Sequence, residues 1–252
     1  MADHSTHQKG PHSSYAPRNM NAASKKILIV VTSHREWSEA RRETGYWAGE
    51  VSHFCEVLRE EGYDFDVVSP RGGPAPIDEK SVRGYQSWDG GYAALLRDPA
   101  LREKLENTLR PEDVRPEAYA AIYYVGGHGT MWDFPDNSKL AELAARIYEQ
   151  GRPVAAVCHG VTGLLNIKLS SGEYLIRGKP VTGFANIEER LMGLSSKVPF
   201  LTEDEMKKRG GLYRRGLPFT AHVEVGERLV TGQNPRSSKR VAQELVKLLK
   251  RA

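Results

Sequence analysis

Four short apolar runs, each closed by turn-forming residues and separated by helical stretches, constrain this chain more than any other feature it has. Ile27-Leu28-Ile29-Val30-Val31-Thr32-Ser33 is the first, and Phe65-Asp66-Val67-Val68-Ser69, Ala121-Ile122-Tyr123-Tyr124-Val125 and Val154-Ala155-Ala156-Val157 follow it. They end in Ser, Ser-Pro, Gly or Cys-His-Gly, and the β-branched content favours strands. Continuous rather than alternating hydrophobicity means that both faces of each strand are covered, and strands alternating with helices imply a parallel sheet. The sequence therefore predicts an α/β fold: a mostly parallel central sheet with helices on both faces. Helices are expected over Thr44 to Glu61, Ser138 to Gln150 and Ser237 to Lys250, the last with Val241, Leu245, Leu248 and Leu249 on one face. Phe219 to Val225 and Arg228 to Gly232, joined through Gly226-Glu227, read as a hairpin.

Two segments interrupt the alternation. Ser69 to Gly91 is rich in Gly, Pro and Asp and reads as a long ordered loop over the carboxyl ends of the strands. Leu194 to Pro218 reads as a lid, with Thr202-Glu203-Asp204-Glu205 as a capping box and Gly210-Gly211 ending a short helix. The chain has 252 residues, 39% hydrophobic and 27% charged, so residues 25–252 are expected to form a single domain and residues 1–24 a disordered tail. That tail lacks the apolar core of a signal peptide, and its scattered His4, His7 and His12 lack the spacing of a metal site. A net charge of +4 is dispersed among acidic neighbours, as in Arg41-Arg42-Glu43, which argues against a nucleic-acid surface. No apolar run reaches membrane-spanning length. Only Cys55 and Cys158 are present, consistent with a reducing, cytoplasmic setting rather than a disulfide framework.

Cys158 carries the strongest chemical signal. It stands at the carboxyl end of a strand, where ligands bind in open parallel sheets, and Cys158-His159-Gly160 must turn sharply into a helix over Val161 to Ile167, with Gly160 easing the turn. A helix amino terminus and a neighbouring imidazole favour the thiolate, so the residue is a candidate nucleophile. Cys55 lies round from the apolar face of its helix, with no such surroundings. On the same helix Glu50 shares a face with Tyr46, Phe54 and Val57 and should be buried, where a carboxylate needs a partner or a proton and is suited to proton transfer. The Gly126-Gly127 turn offers backbone amides for an oxyanion, and His128 lines the same place.

Five ordered motifs, Thr44-Gly45-Tyr46-Trp47-Ala48-Gly49-Glu50, Val125-Gly126-Gly127-His128-Gly129, Ala156-Val157-Cys158-His159-Gly160, Val181-Thr182-Gly183-Phe184 and Val230-Thr231-Gly232-Gln233-Asn234-Pro235, resemble the ThiJ/PfpI (DJ-1) superfamily from Lys26 to the end of the chain. Within it the chain resembles the glutathione-independent glyoxalases (glyoxalase III) and their heat-shock chaperone relatives. The resemblance implies a flavodoxin-like three-layer sandwich and a homodimer. It implies Cys158 as nucleophile, His159 beside it, Glu50 against the thiol, and an acidic third member, Glu189 by spacing with Glu188 as the alternative. It further implies conversion of methylglyoxal or glyoxal to lactate or glycolate with neither metal nor cofactor. Cysteine-dependent hydratases, amidases, holdase chaperones and redox-responsive proteins share the superfamily, so fold alone does not choose among them.

Overall fold

Consecutive apolar residues fit a strand only if its two faces meet two different cores, and this happens in the computed structural model, which describes residues 25–83 and 90–251. The expected tail, residues 1–24, lies outside the described residues. Six strands, β1 (Lys26–Val30), β2 (Asp64–Val68), β3 (Ala121–Tyr124), β4 (Val154–Val157), β5 (Val223–Val225) and β6 (Leu229–Gly232), form one sheet in the order β2-β1-β3-β4-β6-β5. All neighbours are parallel except β6 and β5, which pair as an antiparallel hairpin. Ile27 and Ile29 face one core with Tyr123, Ala155 and Val157, while Leu28 and Val30 face the other with Ile122, Tyr124 and Ala156. Helices α1 (Ala48–Glu60) and α5 (Ser238–Leu249) cover the first side and α2 (Ser138–Glu149) the second. No helix among the described residues is long and apolar enough to cross a membrane.

Helix α1 begins later than its sequence pattern suggests. Thr44 to Trp47 are helix-compatible, yet the Tyr46 N–H donates to Pro76 O at 2.8 Å and Tyr46 O accepts from the Asp78 N–H at 2.9 Å, so this stretch is held extended against residues 76–78. Asp78 completes the clamp, accepting from Arg42 Nη1 and Thr44 Oγ1 at 2.8 Å each. The expected loop over 69–91 is thus ordered as far as residue 83, including the short helix Glu79–Val82; residues 84–89 lie outside the described residues. Cys55, read as structural or without a role, is fully buried, in the core that the helix Gly91–Leu96 joins through Leu95.

The expected lid is anchored rather than loose. Leu212–Tyr213 pairs with Pro180–Val181, and the Trp37 indole N–H donates to Lys197 O at 2.8 Å. Gly210, at φ +82°, ends helix α4 (Thr202–Lys208) as expected. The capping box does not form, because Thr202 already lies inside the helix with its hydroxyl making no hydrogen bond. Glu203 instead accepts the Asn186 N–H at 2.9 Å and so serves the start of the neighbouring helix α3 (Asn186–Leu191). The hairpin strand begins at Val223 rather than Phe219, whose φ of +56° departs from strand geometry.

After β4 the chain enters a 3-10 turn over Cys158–Leu164 rather than an α-helix starting at Val161. The left-handed residue of this turn is Cys158 itself, at φ +55°. Gly160 contributes differently from the expected easing of the turn: a Cβ there would lie 2.4 Å from Tyr124 O, so the turn packs directly on the end of β3. Gly160→Ala is expected to lower the unfolding free energy by about 2 kcal/mol or more, the cost of forced overpacking in a tight core. Chemical denaturation checks this, and a loss within experimental error would show that the two backbones do not need this approach.

Candidate functional site

The carboxyl ends of β3 and β4 bring together residues far apart in sequence. Gly126 follows β3, and its N–H donates to Glu50 Oε2 at 2.6 Å. A side chain at position 126 could not coexist with this contact, because its Cβ would stand 2.6 Å from that oxygen and 2.9 Å from the Cys158 Cβ. Glu50 is fully buried in the first turn of α1, and its carboxyl acts on the Cys158 thiol. The Tyr123 hydroxyl fixes that turn by donating to Glu50 O at 2.9 Å. The Gly126 amide, expected as an oxyanion donor, is therefore occupied by Glu50. Gly127, at φ +109°, keeps an N–H with no acceptor among the described residues and lines the cleft above the sulfur.

Burial comes first, then the Glu50 charge, in pushing the Cys158 thiol well above its ordinary value, while the His159 backbone N–H pulls it down. The expected stabilisation of the thiolate by the turn is thus present and is outweighed. Two acids in one dry site titrate as a pair, and the arrangement favours a single negative charge shared between them.

On the other side of the sulfur, His159 Nδ1 lies 3.5 Å from Cys158 Sγ, and its Nε2–H donates to Glu189 Oε2 at 2.8 Å. The hydrogen bond to a carboxylate fixes the orientation of the ring and turns Nδ1 toward the thiol. His128 Nε2–H donates to the other oxygen, Glu189 Oε1, at 3.0 Å, and its ring packs 4.0 Å from that of His159 and 4.4 Å from Trp37. Burial would raise the Glu189 carboxyl, but His159 and then His128 outweigh it and hold it well below the usual carboxylate range. Burial, reinforced by His159, holds His128 down at about 4. Among the described residues the donors that could hold a metal ion are His128, His159 and Glu189, whose ligand atoms all lie within 4.8 Å of one another; as observed, the two imidazoles and the carboxylate satisfy each other.

Glu188, the alternative to Glu189, points elsewhere. It is fully buried and accepts from the Ala185 N–H at 3.0 Å, the Phe219 N–H at 2.7 Å and Asn234 Nδ2 at 2.8 Å. It thereby ties α3 to the strained residue 219 and to the turn after β6. Sequence reading missed this, together with Trp37 behind His128 and Phe184, whose ring stands 4.5 Å from His159. Phe184 left a signal at the end of the motif Val181 to Phe184, and Asn234 did so within Val230 to Pro235. Cys158 and His159 sit at the floor of a cleft of about 1010 Å³ that Trp47, Gly127, His128 and Phe184 also line.

Residues 43–248 match the DJ-1/PfpI family. The chain is 31% identical to the glutathione-independent glyoxalase HSP31 of Saccharomyces cerevisiae over 238 residues, covering 90% of this chain and 99% of that protein. It is 30% identical to glyoxalase 3 of Candida albicans, covering 88% and 97%. Among solved structures it resembles the Rapid Encystment Protein 24 kDa of Francisella tularensis (TM-score 0.82, 35% identity, 89% and 98% covered). It also resembles glyoxalase III of Candida albicans (TM-score 0.76, 28% identity, 88% and 96% covered).

The buried groups make a pH-dependent prediction. Unfolded, His128 titrates near 6.5; folded, it stays neutral down to about 4. Between these values the unfolded chain binds a proton that the fold refuses, so this contribution is complete above about 6.5 and is lost as pH falls toward 4. Asp133, which burial pushes up to about 6, takes up a proton on folding in part of the same window and works in the opposite direction. The stability difference between wild type and His128→Asn isolates the imidazole. It is expected to fall by up to roughly 1.4 kcal/mol per pH unit from pH 6.5 to 4, measured by denaturant unfolding; a constant difference would mean that His128 is not held neutral.

Proposed function

Since the chain belongs to the DJ-1/PfpI family, we propose that it is a glutathione-independent glyoxalase converting methylglyoxal or glyoxal to lactate or glycolate. One observation carries the reading: at the floor of an open cleft a single sulfur lies between a buried carboxyl, Glu50, and an imidazole, His159, oriented by Glu189. Relatives that are aligned over nearly their whole length bear the glyoxalase name, which supports the same choice among the chemistries open to such a thiol.

In the proposed reaction Cys158 Sγ adds to the aldehyde carbon, and its proton passes to Glu50, since the pair carries one charge more readily than two. The new oxyanion is met by the free Gly127 N–H and the His159 N–H, the donors nearest the adduct, and is protonated to give a hemithioacetal. A base removes the proton from the former aldehyde carbon, and the electron pair moves into the neighbouring carbonyl to form an enediol. His159 Nδ1, held by Glu189 with its lone pair free, and Glu50 are the two groups that move these protons. Reprotonation at the adjacent carbon gives a thioester, and water cleaves it to the hydroxy acid and the thiol. The overall change is an internal redox step plus one water, so no external oxidant or reductant enters.

Strain supports the assignment of the nucleophile. Cys158 is held at φ +55°, a conformation that costs about 1–3 kcal/mol for a residue with a side chain, and the reward is a sulfur projecting into the cleft beside two amides. Incubation with methylglyoxal in the absence of glutathione is expected to yield lactate. Cys158→Ala should abolish the yield, and Glu50→Gln should reduce kcat by about 100-fold or more, the usual contribution of a proton-transfer group. Unchanged turnover in both variants would contradict the proposal.

A further inference from the structure

The cleft above Cys158 encloses about 1010 Å³, the upper end of the range found for sites that take drug-sized ligands and far more than a small dicarbonyl fills. Its walls are not uniform. Trp47, Phe184 and Met192 are apolar, and Phe219 stands partly exposed at the mouth. The position of Phe219 is built into the fold: its backbone has φ +56°, rare for a bulky residue, and its N–H is held by the fully buried Glu188 carboxylate at 2.7 Å.

The same rim carries Arg236 and Lys239, both exposed and both lining the cleft. Neither has an ion-pair or hydrogen-bond partner among the described residues. Glu56, which also lines this cleft, contacts His53 at 3.2 Å and makes no ion pair with either cation among the described residues. An apolar passage with a reactive thiol at its floor and two unpaired cations at its rim matches a ligand with three parts in that order.

We propose that the cleft selects α-oxoaldehydes with an extended apolar, preferably aromatic, body that ends in an anionic group. The aldehyde reaches Cys158, the body lies against Phe219 and Met192, and the anion meets Arg236 and Lys239. This rests on the glyoxalase reading for the chemistry at the sulfur and adds the substrate class.

The test uses phenylglyoxal and 4-carboxyphenylglyoxal, which differ only in the anion. At low ionic strength the carboxylated compound is expected to have a kcat/KM roughly tenfold higher, mainly through KM, from two partly exposed charge contacts. That preference should shrink as salt screens the rim. In the double variant Arg236→Gln, Lys239→Gln the ratio of the two kcat/KM values should fall to near one, while Phe219→Ala should raise KM for both aryl compounds. Equal kcat/KM values in the wild type, or an unchanged ratio in the double variant, would overturn the proposal. A second measurement works even if no α-oxoaldehyde is turned over, a result that would count against the glyoxalase reading instead. 4-Formylbenzoate should protect Cys158 from iodoacetamide at roughly tenfold lower concentration than benzaldehyde, with the difference lost in the double variant; equal protection by the two aldehydes would leave the rim without a role in recognition.

Discussion

A carboxyl and a thiol buried against each other, with one backbone amide to hold the carboxyl, is the contact around which the rest of this structure is arranged. Glu50 and Cys158 come from α1 and from the turn after β4, and they meet only because residue 126 has no side chain. Neither group is comfortable alone: burial disfavours the charged form of each, and two like charges at this separation disfavour each other. A shared proton resolves the conflict. It also leaves the thiol beside a carboxyl that can take up its proton.

The surrounding fold keeps this pair under tension. Cys158 is left-handed, Gly160 touches the end of β3, and the extended segment at Gly45–Trp47 is pinned between Pro76 O and Gly126 O. Adjacent residues on α3 do two separate jobs because successive positions on a helix point about 100° apart. Glu189 faces the imidazoles and orients them, whereas Glu188 faces away from them and holds Phe219 and Asn234 in the cleft wall. The orientation of the imidazoles and the shape of the cleft thus hang on one short helix, whose start is in turn held by Glu203 from α4.

Much of this was legible from the sequence where the signal was local or where both faces of an element were buried. The four apolar runs gave the parallel strands, and Glu50 announced itself as a carboxylate on an apolar helical face. Cys158-His159-Gly160 marked the turn after a strand. Where tertiary contacts override local preference, the sequence pattern was misleading: the pairing of Tyr46 with residues 76–78 delayed α1, and Glu203 left its own helix to serve another. Spacing admitted both Glu188 and Glu189, and only the rotation of α3 separates them. The cations at the rim, Arg236 and Lys239, gave no sign of their position, because in sequence they are two of many basic residues near a helix start.

The shared proton is most directly tested by the pH dependence of iodoacetamide alkylation at Cys158, followed by mass spectrometry of its peptide in the wild type and in Glu50→Gln. Removal of the carboxyl removes both its charge and its hold on the proton, so the account predicts that the midpoint moves by about one pH unit or more, the threshold for a coupled pair. Superimposable profiles in the two proteins would show that Glu50 and Cys158 titrate independently and would contradict it.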